Sequence, residues 1–405
     1  MGLISVEQSD ASGRTLSENE GCTTFLAGVE SNAMRVGIDL TALWRPTTGM
    51  ETVAIEMTRA LLRQDRNNEY VLFFSGEVHA SLADAEGSFT KVVLPMRNEV
   101  ISKNFYLPFM SSVRALDFLH FPVFPPPWWC PCPHGWTVPD ATPWLYPQTM
   151  NAKSRLYFKT LGNRAFRNCR LLITDTQASR SDLLGFFGQR ADQVRVICPG
   201  IRTIFRPLRD PAAFTRVRKK YSLSPEFLLC VATLEPRKNI LGLIQSFAML
   251  KAEDGFSPSL VIAGRKGWLY DRMLSEVSSS GVRDAITFTG YVPDEDLLAL
   301  YNMARVFIYP SFYEGFGLPC IEAMACGCPV VTSNRGALLE VTGDAALHAE
   351  PESIIHLAST IRKACKDESL REQLILRGLE RARLFSWELY AKEMLGAMGE
   401  AVRGE

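Results

Sequence analysis

Short apolar runs alternate with longer amphipathic stretches along most of the chain. Met34-Arg-Val-Gly-Ile-Asp-Leu40 reads as a buried strand, and after a loop holding Pro46 and Gly49 the apolar positions Val53, Met57, Ala60 and Leu61 recur at helical spacing, predicting a helix from about Met50 to Arg63. Tyr70 to Ser75 is the next strand, which completes a βαβ unit, and such units build parallel sheets. Lys91 to Leu94 and Asp117 to Phe121 read as further strands; the run from Leu171 reads as strand then helix, with Ser179 or Ser181 near its cap, and Val194 to Pro199 as a strand. The irregular run from Pro199-Gly200 to about Pro211 is the expected interdomain linker.

The same pattern then restarts. Strands are expected at Phe227 to Thr233, Leu260 to Gly264, Ile286 to Gly290, Val306 to Tyr309, Pro329 to Thr332 and Ala345 to Ala349. Helices are expected at Ile240 to Leu250, from an Asp294 cap onward, at Leu318 to Ala325, within 352–383, and from a Ser386 cap to about Val402. The fold class is therefore α/β, with two doubly wound domains.

The chemistry concentrates where strand, turn and helix meet between Tyr309 and Val331. A Gly315-Phe316-Gly317 turn opening a helix at Leu318 points backbone N–H groups and the positive end of a helix dipole at the loop, a place for a phosphate. Glu314 precedes that turn and Glu322 lies just over one helical turn beyond it, so both can face one ligand as acceptors for sugar hydroxyls. The plainer alternative is a capped helix with two solvated glutamates. In the loop Glu235-Pro-Arg237-Lys238-Asn239, two cations at a strand's carboxyl end beside a helix N-terminus can clamp a diphosphate, or can be an ordinary solvated pair.

Three other stretches add candidates. The loop Arg45 to Glu51, with Gly49, lies at the carboxyl end of the first strand, where open α/β sheets bind ligands. Prolines between Phe121 and Pro133 forbid regular structure and leave a loop carrying Trp128 and Trp129, which is an acceptor-sugar platform, a membrane-interface anchor, or a pair packed under the loop. Asn151 to Arg170 carries Lys153, Arg155, Lys159, Arg164, Arg167 and Arg170 with no acidic residue, so a basic amphipathic helix facing an anionic membrane surface is weighed against a solvated face.

Composition narrows the classes. Lys plus Arg and Asp plus Glu both total 44 in 405 residues, so no bulk charge draws the chain to nucleic acid. Ten cysteines are too sparse for a disulfide scaffold, and with five unclustered histidines no metal site is expected; a reducing, cytoplasmic setting fits. No apolar run is long enough to span a bilayer. Residues 1–33 read as a disordered tail, with Ser31-Asn32-Ala33 resembling a vector-derived remnant.

Glu-x7-Glu around Gly-x-Gly, Leu-Glu-Pro-Arg-Lys-Asn, Gly290-Tyr291-Val292 and Phe385-Ser-Trp-Glu388 together resemble the retaining glycosyltransferases of group 1, which have the GT-B fold. The resemblance implies two Rossmann-like domains facing a central cleft. These are an acceptor-binding domain over 34–205, a nucleotide-sugar-binding domain over 206–385, and a terminal helix over 386–405 crossing back to the first. It further implies that Glu314 faces the transferred sugar, Glu322 the ribose, Arg237 and Lys238 the diphosphate, and the backbone at Tyr291 and Val292 the base. Gly49, Gly264, Gly315, Phe316, Gly317 and Leu318 complete the implied donor site. Thr137-Val-Pro139-Asp140 resembles the strand that ends in His-Asp in this family. Asp140 matches as a catalytic candidate, Pro139 replaces the histidine, and Glu51 stands where a second loop glycine is common.

The implied activity is metal-independent, cofactor-free hexosyl transfer to a glycan or lipid-linked acceptor. The motifs look most like those of bacterial mannosyltransferases of surface polysaccharide assembly, so GDP-mannose is the first donor, with UDP- and dTDP-hexoses open. The enzyme would be cytoplasmic, peripheral on the inner face of the membrane. The alternatives are a nucleotide-sugar epimerase of the same fold and a non-catalytic nucleotide-sugar-binding protein, the latter suggested by Glu51 and Pro139.

Overall fold

The computed structural model describes residues 33–43, 49–94, 102–150, 152–188, 193–267, 277 and 281–404. The expected tail (bar its last residue, 33) and most of the loop Arg45 to Glu51 lie outside them.

Two wholly parallel sheets form the frame. The first joins β1 (Arg35–Asp39), β2 (Glu69–Ser75), β3 (Phe89–Leu94), β4 (Phe118–Phe121), β5 (His134–Thr137), β6 (Leu171–Thr174) and β7 (Val194–Val196) in the order β3-β2-β1-β4-β5-β6-β7. The second joins β8 (Phe227–Val231), β9 (Ser259–Ala263), β10 (Ile286–Gly290), β11 (Val306–Tyr309), β12 (Val330–Ser333) and β13 (Ala346–Ala349) in the order β10-β9-β8-β11-β12-β13. Strands such as β9 and β11 are buried throughout because helices cover both faces, which is why they read as unbroken apolar runs. Chain order reverses between β1 and β4 in the first sheet and between β8 and β11 in the second. Loops leaving neighbouring strands at a reversal turn to opposite faces and open a crevice.

The last helix, Trp387–Arg403, belongs to the first sheet's core. Trp387, Tyr390, Met394 and Met398 recur at helical spacing and pack with Ala54, Met57 and Leu61 of the Gly49–Gln64 helix. Ser386 caps it, its Oγ accepting from the Leu389 N–H at 3.1 Å. The chain therefore crosses between the sheets twice. The crossings touch: the Ile201 N–H donates to the Phe385 carbonyl at 3.1 Å, and a side chain on Gly200 would come within 2.3 Å of the Trp387 nitrogen.

Several local expectations change. The Gln177–Phe187 helix is capped by Thr176, whose extended backbone lets its Oγ1 take the Ser179 N–H at 3.1 Å, so Ser179 lies near the cap as expected while the capping side chain itself is Thr176. Asp294 opens its helix after Pro293 without capping it, because its carboxylate is drawn to Arg202. The basic stretch is not one regular helix: Ala152–Tyr157 and Asn163–Asn168 flank a wider π-helical turn at Phe158–Gly162, where Gly162 sits close against Trp144. Trp128 and Trp129 are 56% and 61% exposed, which rules out packing under the loop. The Arg164 guanidinium lies 5.2 Å from the Trp128 ring centroid. Among the described residues no helix is long and apolar enough to cross a membrane, and the cysteines are free.

Met394 is fully buried between the terminal helix and the Gly49–Gln64 helix. Met394→Ala is expected to cost about 2–5 kcal/mol, read as a lower urea midpoint with little change in the slope.

Candidate active site

The crevice of the second sheet is built by two loops. After β8 the chain makes a single 3-10 turn, Pro236–Lys238, closed by Asn239 in the left-handed region at φ 55°, with its side-chain amide donating to the Pro351 carbonyl at 2.7 Å. After β11, Pro310 ends the strand, and the Phe312 N–H donates to the Arg237 carbonyl at 2.9 Å, which ties the loops together. The turn aims Lys238 inward, so its Nζ donates to Glu314 Oε1 at 2.6 Å and to the Tyr309 hydroxyl at 2.9 Å. Arg237 donates to the other Glu314 oxygen at 3.0 Å, to the Tyr313 carbonyl at 2.7 Å and to Glu235 Oε1 at 2.8 Å.

Two cations thus meet two carboxylates in a buried place. Burial alone would raise the Glu314 carboxyl, but Arg237 and Lys238 outweigh it and hold the pKa at about 2. Burial lowers Lys238, and Glu314 only partly restores it. Arg237 is also penalised by burial, yet Glu314, Asp140 and Glu235 together raise it.

The first sheet supplies the opposite wall. Asp140 follows β5, its Oδ1 accepting from the Thr142 N–H at 2.7 Å, and a side chain on Gly315 would press on the Pro139 carbonyl and Asp140 Cβ at 2.6 and 2.9 Å. Glycine at 315 therefore lets the loop carrying Glu314 lie against Asp140. Thr176 and Ser179 hydroxyls donate to the Gly315 carbonyl at 3.0 and 3.2 Å. The Tyr313 hydroxyl donates to Asp182 at 2.9 Å and accepts from the Ala141 N–H at 3.2 Å. Glu340 takes the Gln177 and Ala178 N–H groups at 2.9 and 2.8 Å, a carboxylate from one half seated on a helix N-terminus of the other.

Beyond the turn, Gly317 adopts φ 95° at the helix N-cap, a left-handed backbone that favours glycine, and a Cβ there would push the end of the Leu338 side chain aside. Glu322, one turn into the helix, is nearly buried and joins a second network, accepting from Arg202 at 3.2 Å and from the Tyr301 hydroxyl at 3.1 Å. The two glutamates therefore sit in separate polar clusters.

The other candidates divide. Phe316 is buried edge-on against Phe385, with ring centroids 5.3 Å apart, and Leu318 is half-buried at the helix start. Val292 is buried, whereas Tyr291 is exposed beneath the Arg265 guanidinium, 4.6 Å from its ring centroid. Gly264 does permit a close approach, but to the Ala232 carbonyl, which a Cβ would meet at 1.8 Å. Gly49 is exposed, begins a helix and has open space around it; Glu51 is buried.

Tyr309, Tyr313, Glu235 and Arg202 escaped the sequence reading. Both tyrosines lie in the motif itself: Tyr309 reads as the last residue of an apolar strand, and Tyr313 as one more residue of the loop after Pro310. Asp175 also escaped; it is fully enclosed at the end of β6, and burial, with the Asp140 charge, pushes its carboxyl well above the usual range. Among the described residues no cluster of three or more His, Cys, Asp or Glu side chains is placed to hold a metal ion.

Residues 214–381 match the family described as Glycosyl transferases group 1. The chain is 36% identical to O-antigen chain mannosyltransferase B of Escherichia coli over 297 residues, 73% of this chain and 72% of that one. It is 32% identical over 225 residues to the serotype-specific mannosyltransferase WbdA of Escherichia coli, covering 55% of this chain but 28% of the larger relative. In structure it resembles the Anabaena HepE protein solved with UDP and glucose, with TM-score 0.70 and 16% identity over 90% of this chain and 98% of that one.

Glu314 titrates far below its ordinary 4.5, so its contribution to stability is complete above that value and is lost as pH falls from about 4.5 to about 2. Glu314→Gln should cost about 3–5 kcal/mol near neutrality and flatten that acid limb. In denaturant melts the cost of Glu314→Gln with Lys238→Met should fall short of the sum of the two single changes.

Proposed function

The chain belongs to the group 1 glycosyltransferases, and from that premise we propose that it moves a hexose, mannose in the first instance, from a nucleotide-diphosphate donor to a glycan or lipid-linked acceptor with retention of configuration. The observation that carries this reading is the buried Arg237–Lys238–Glu314 cluster at the β8/β11 reversal, facing Asp140 across the cleft.

Breaking the anomeric C–O bond leaves negative charge on the departing diphosphate. Arg237, Lys238 and the helix beginning after Gly317 are fixed positive partners for that charge in a water-poor site, where such groups act most strongly. Glu314 keeps both cations oriented and, being ionised, accepts from hydroxyls of the transferred sugar. Asp140 stands on the acceptor side of the reacting carbon. Gly315, Phe316 and Leu318 shape the phosphate loop. Gly264, Tyr291 and Val292 form the shelf for the base, and Glu322 takes the ribose diol. Gly49, at the start of the Gly49–Gln64 helix, is kept as a donor-side residue of the first domain. The likeness to the two mannosyltransferases supports mannose as the sugar, and GDP is the nucleotide we pair with it first.

A lipid-linked acceptor at an anionic, cytoplasm-facing membrane is supported by the exposed apolar side chains Phe105, Phe109, Trp128, Trp129 and Leu156 and the exposed cations Lys153, Arg155 and Lys159 of the first domain, where Trp128 is in contact with Arg164.

Calorimetry with GDP, UDP, ADP and dTDP tests the donor site. GDP is expected to bind, and Lys238→Ala to weaken it by about tenfold or more. Failure of all four nucleotides to bind would overturn the assignment. Tightest binding of UDP or dTDP would move the sugar choice away from GDP-mannose.

A further inference from the structure

Arg202 lies on the first crossing between the sheets, in a segment with no regular structure, and the chemistry above leaves it without a part. Its guanidinium is nonetheless fixed on three sides. One Nη donates to Asp294 Oδ2 at 2.5 Å, the other to Glu322 Oε1 at 3.2 Å, and the group lies 4.8 Å from the Phe205 ring centroid. The side chains of Arg202 and Glu322 are 20% and 11% exposed. Its backbone is held as well, the carbonyl accepting from the Phe205 N–H at 3.0 Å while the neighbouring Ile201 N–H reaches Phe385.

A carboxylate this deep is costly to keep charged. Burial raises the Glu322 carboxyl, and Arg202 is the strongest group acting against it, followed by the Tyr301 hydroxyl. Asp294 adds an opposing negative charge from the same helix as Tyr301, and Cys326 lies nearby at the helix end. The Glu368–Ala382 helix meets the other flank, placing Gly378 against Met324, about 200° around from Glu322. Each Glu322 oxygen accepts one bond from protein and keeps a further lone pair, so a bound diol can be received without displacing either donor.

We propose that Arg202 is a positioning residue of the donor site: its guanidinium clamps the Glu322 carboxylate in the orientation that accepts the two ribose hydroxyls, and anchors that carboxylate to the crossing between the sheets. The inference rests on the reading of Glu322 as the ribose acceptor. Without Arg202, Glu322 takes up a proton at higher pH, and a neutral carboxyl has lost the charge that strengthens its bonds to the diol.

The test compares binding of GDP and 2′-deoxyguanosine diphosphate by wild type, Arg202→Met, Arg202→Lys and Glu322→Gln from about pH 5 to about pH 9. Wild type should prefer GDP by roughly tenfold across the range. Arg202→Met should lose that preference at the acid end and regain it as pH rises, Arg202→Lys should restore it, and adding Glu322→Gln to Arg202→Met should abolish the pH dependence. A preference in Arg202→Met that is unchanged at every pH, or a loss that neither pH nor lysine repairs, overturns the proposal for Arg202. An undiminished preference in Glu322→Gln overturns the ribose reading itself. If neither binds wild type, the same comparison is made with whichever of UDP, ADP or dTDP binds and its ribo- or 2′-deoxy counterpart; if none of the four binds, the donor-site assignment fails and the proposal for Arg202 falls with it.

Discussion

The site depends on keeping two cations charged in a place that disfavours charge. Removing an ion from water costs several kcal/mol even after the protein relaxes, so Arg237 and Lys238 persist at the β8/β11 reversal only because Glu314 and Glu235 neutralise them at hydrogen-bond distance. That need sets the rest of the local architecture. The two loops must leave adjacent parallel strands, β8 and β11, in a fixed register, Val306 opposite Leu228 and Phe307 opposite Leu229, to bring Lys238 under Glu314. The hydrogen bond from Phe312 to the Arg237 carbonyl then holds the loops against each other. On the proposed reading, a diphosphate entering this cluster would meet cations already desolvated and already aimed, leaving little reorganisation for the moment of bond breaking.

The first half of the molecule meets this cluster through polar contacts together with a ring contact, Tyr146 to Tyr313, whose centroids lie 5.1 Å apart. Gly315 presents its carbonyl to two hydroxyls, Tyr313 reaches Asp182, and Glu340 sits on the start of the Gln177–Phe187 helix. Such contacts exchange readily for water, which suits a cleft that must admit a donor and release a nucleotide.

Much of the frame was legible because parallel strands covered on both faces must be continuous apolar runs, and β1, β8, β9 and β11 announce themselves that way. β5 was not legible from pattern, since His134 and Gly135 follow a string of prolines and only pairing with β4 and β6 makes them a strand. Arg237, Lys238, Glu314 and Glu322 stood out because turn chemistry placed them at strand and helix ends. Their partners did not. Nothing in an irregular segment tells where Arg202 points, and no spacing rule shows that the left-handed turn at Gly317 sends two glutamates eight positions apart into different clusters. The wider helical turn at Phe158–Gly162 was hidden for a related reason: Gly162 against Trp144 is a tertiary contact, and the basic stretch carries no local mark of it.

The double crossing at Gly200 and Phe385 has a mechanical meaning. A single tether would let the two sheets swivel in any direction, but two strands of chain fastened side by side behave as the leaves of a door hinge, leaving one easy axis of rotation. The strand that begins at Arg35 and the helix that ends at Arg403 ride on the same leaf. Distances measured between those two ends would therefore stay constant while the cleft swings, and only a pair of probes spanning the axis would see the door move.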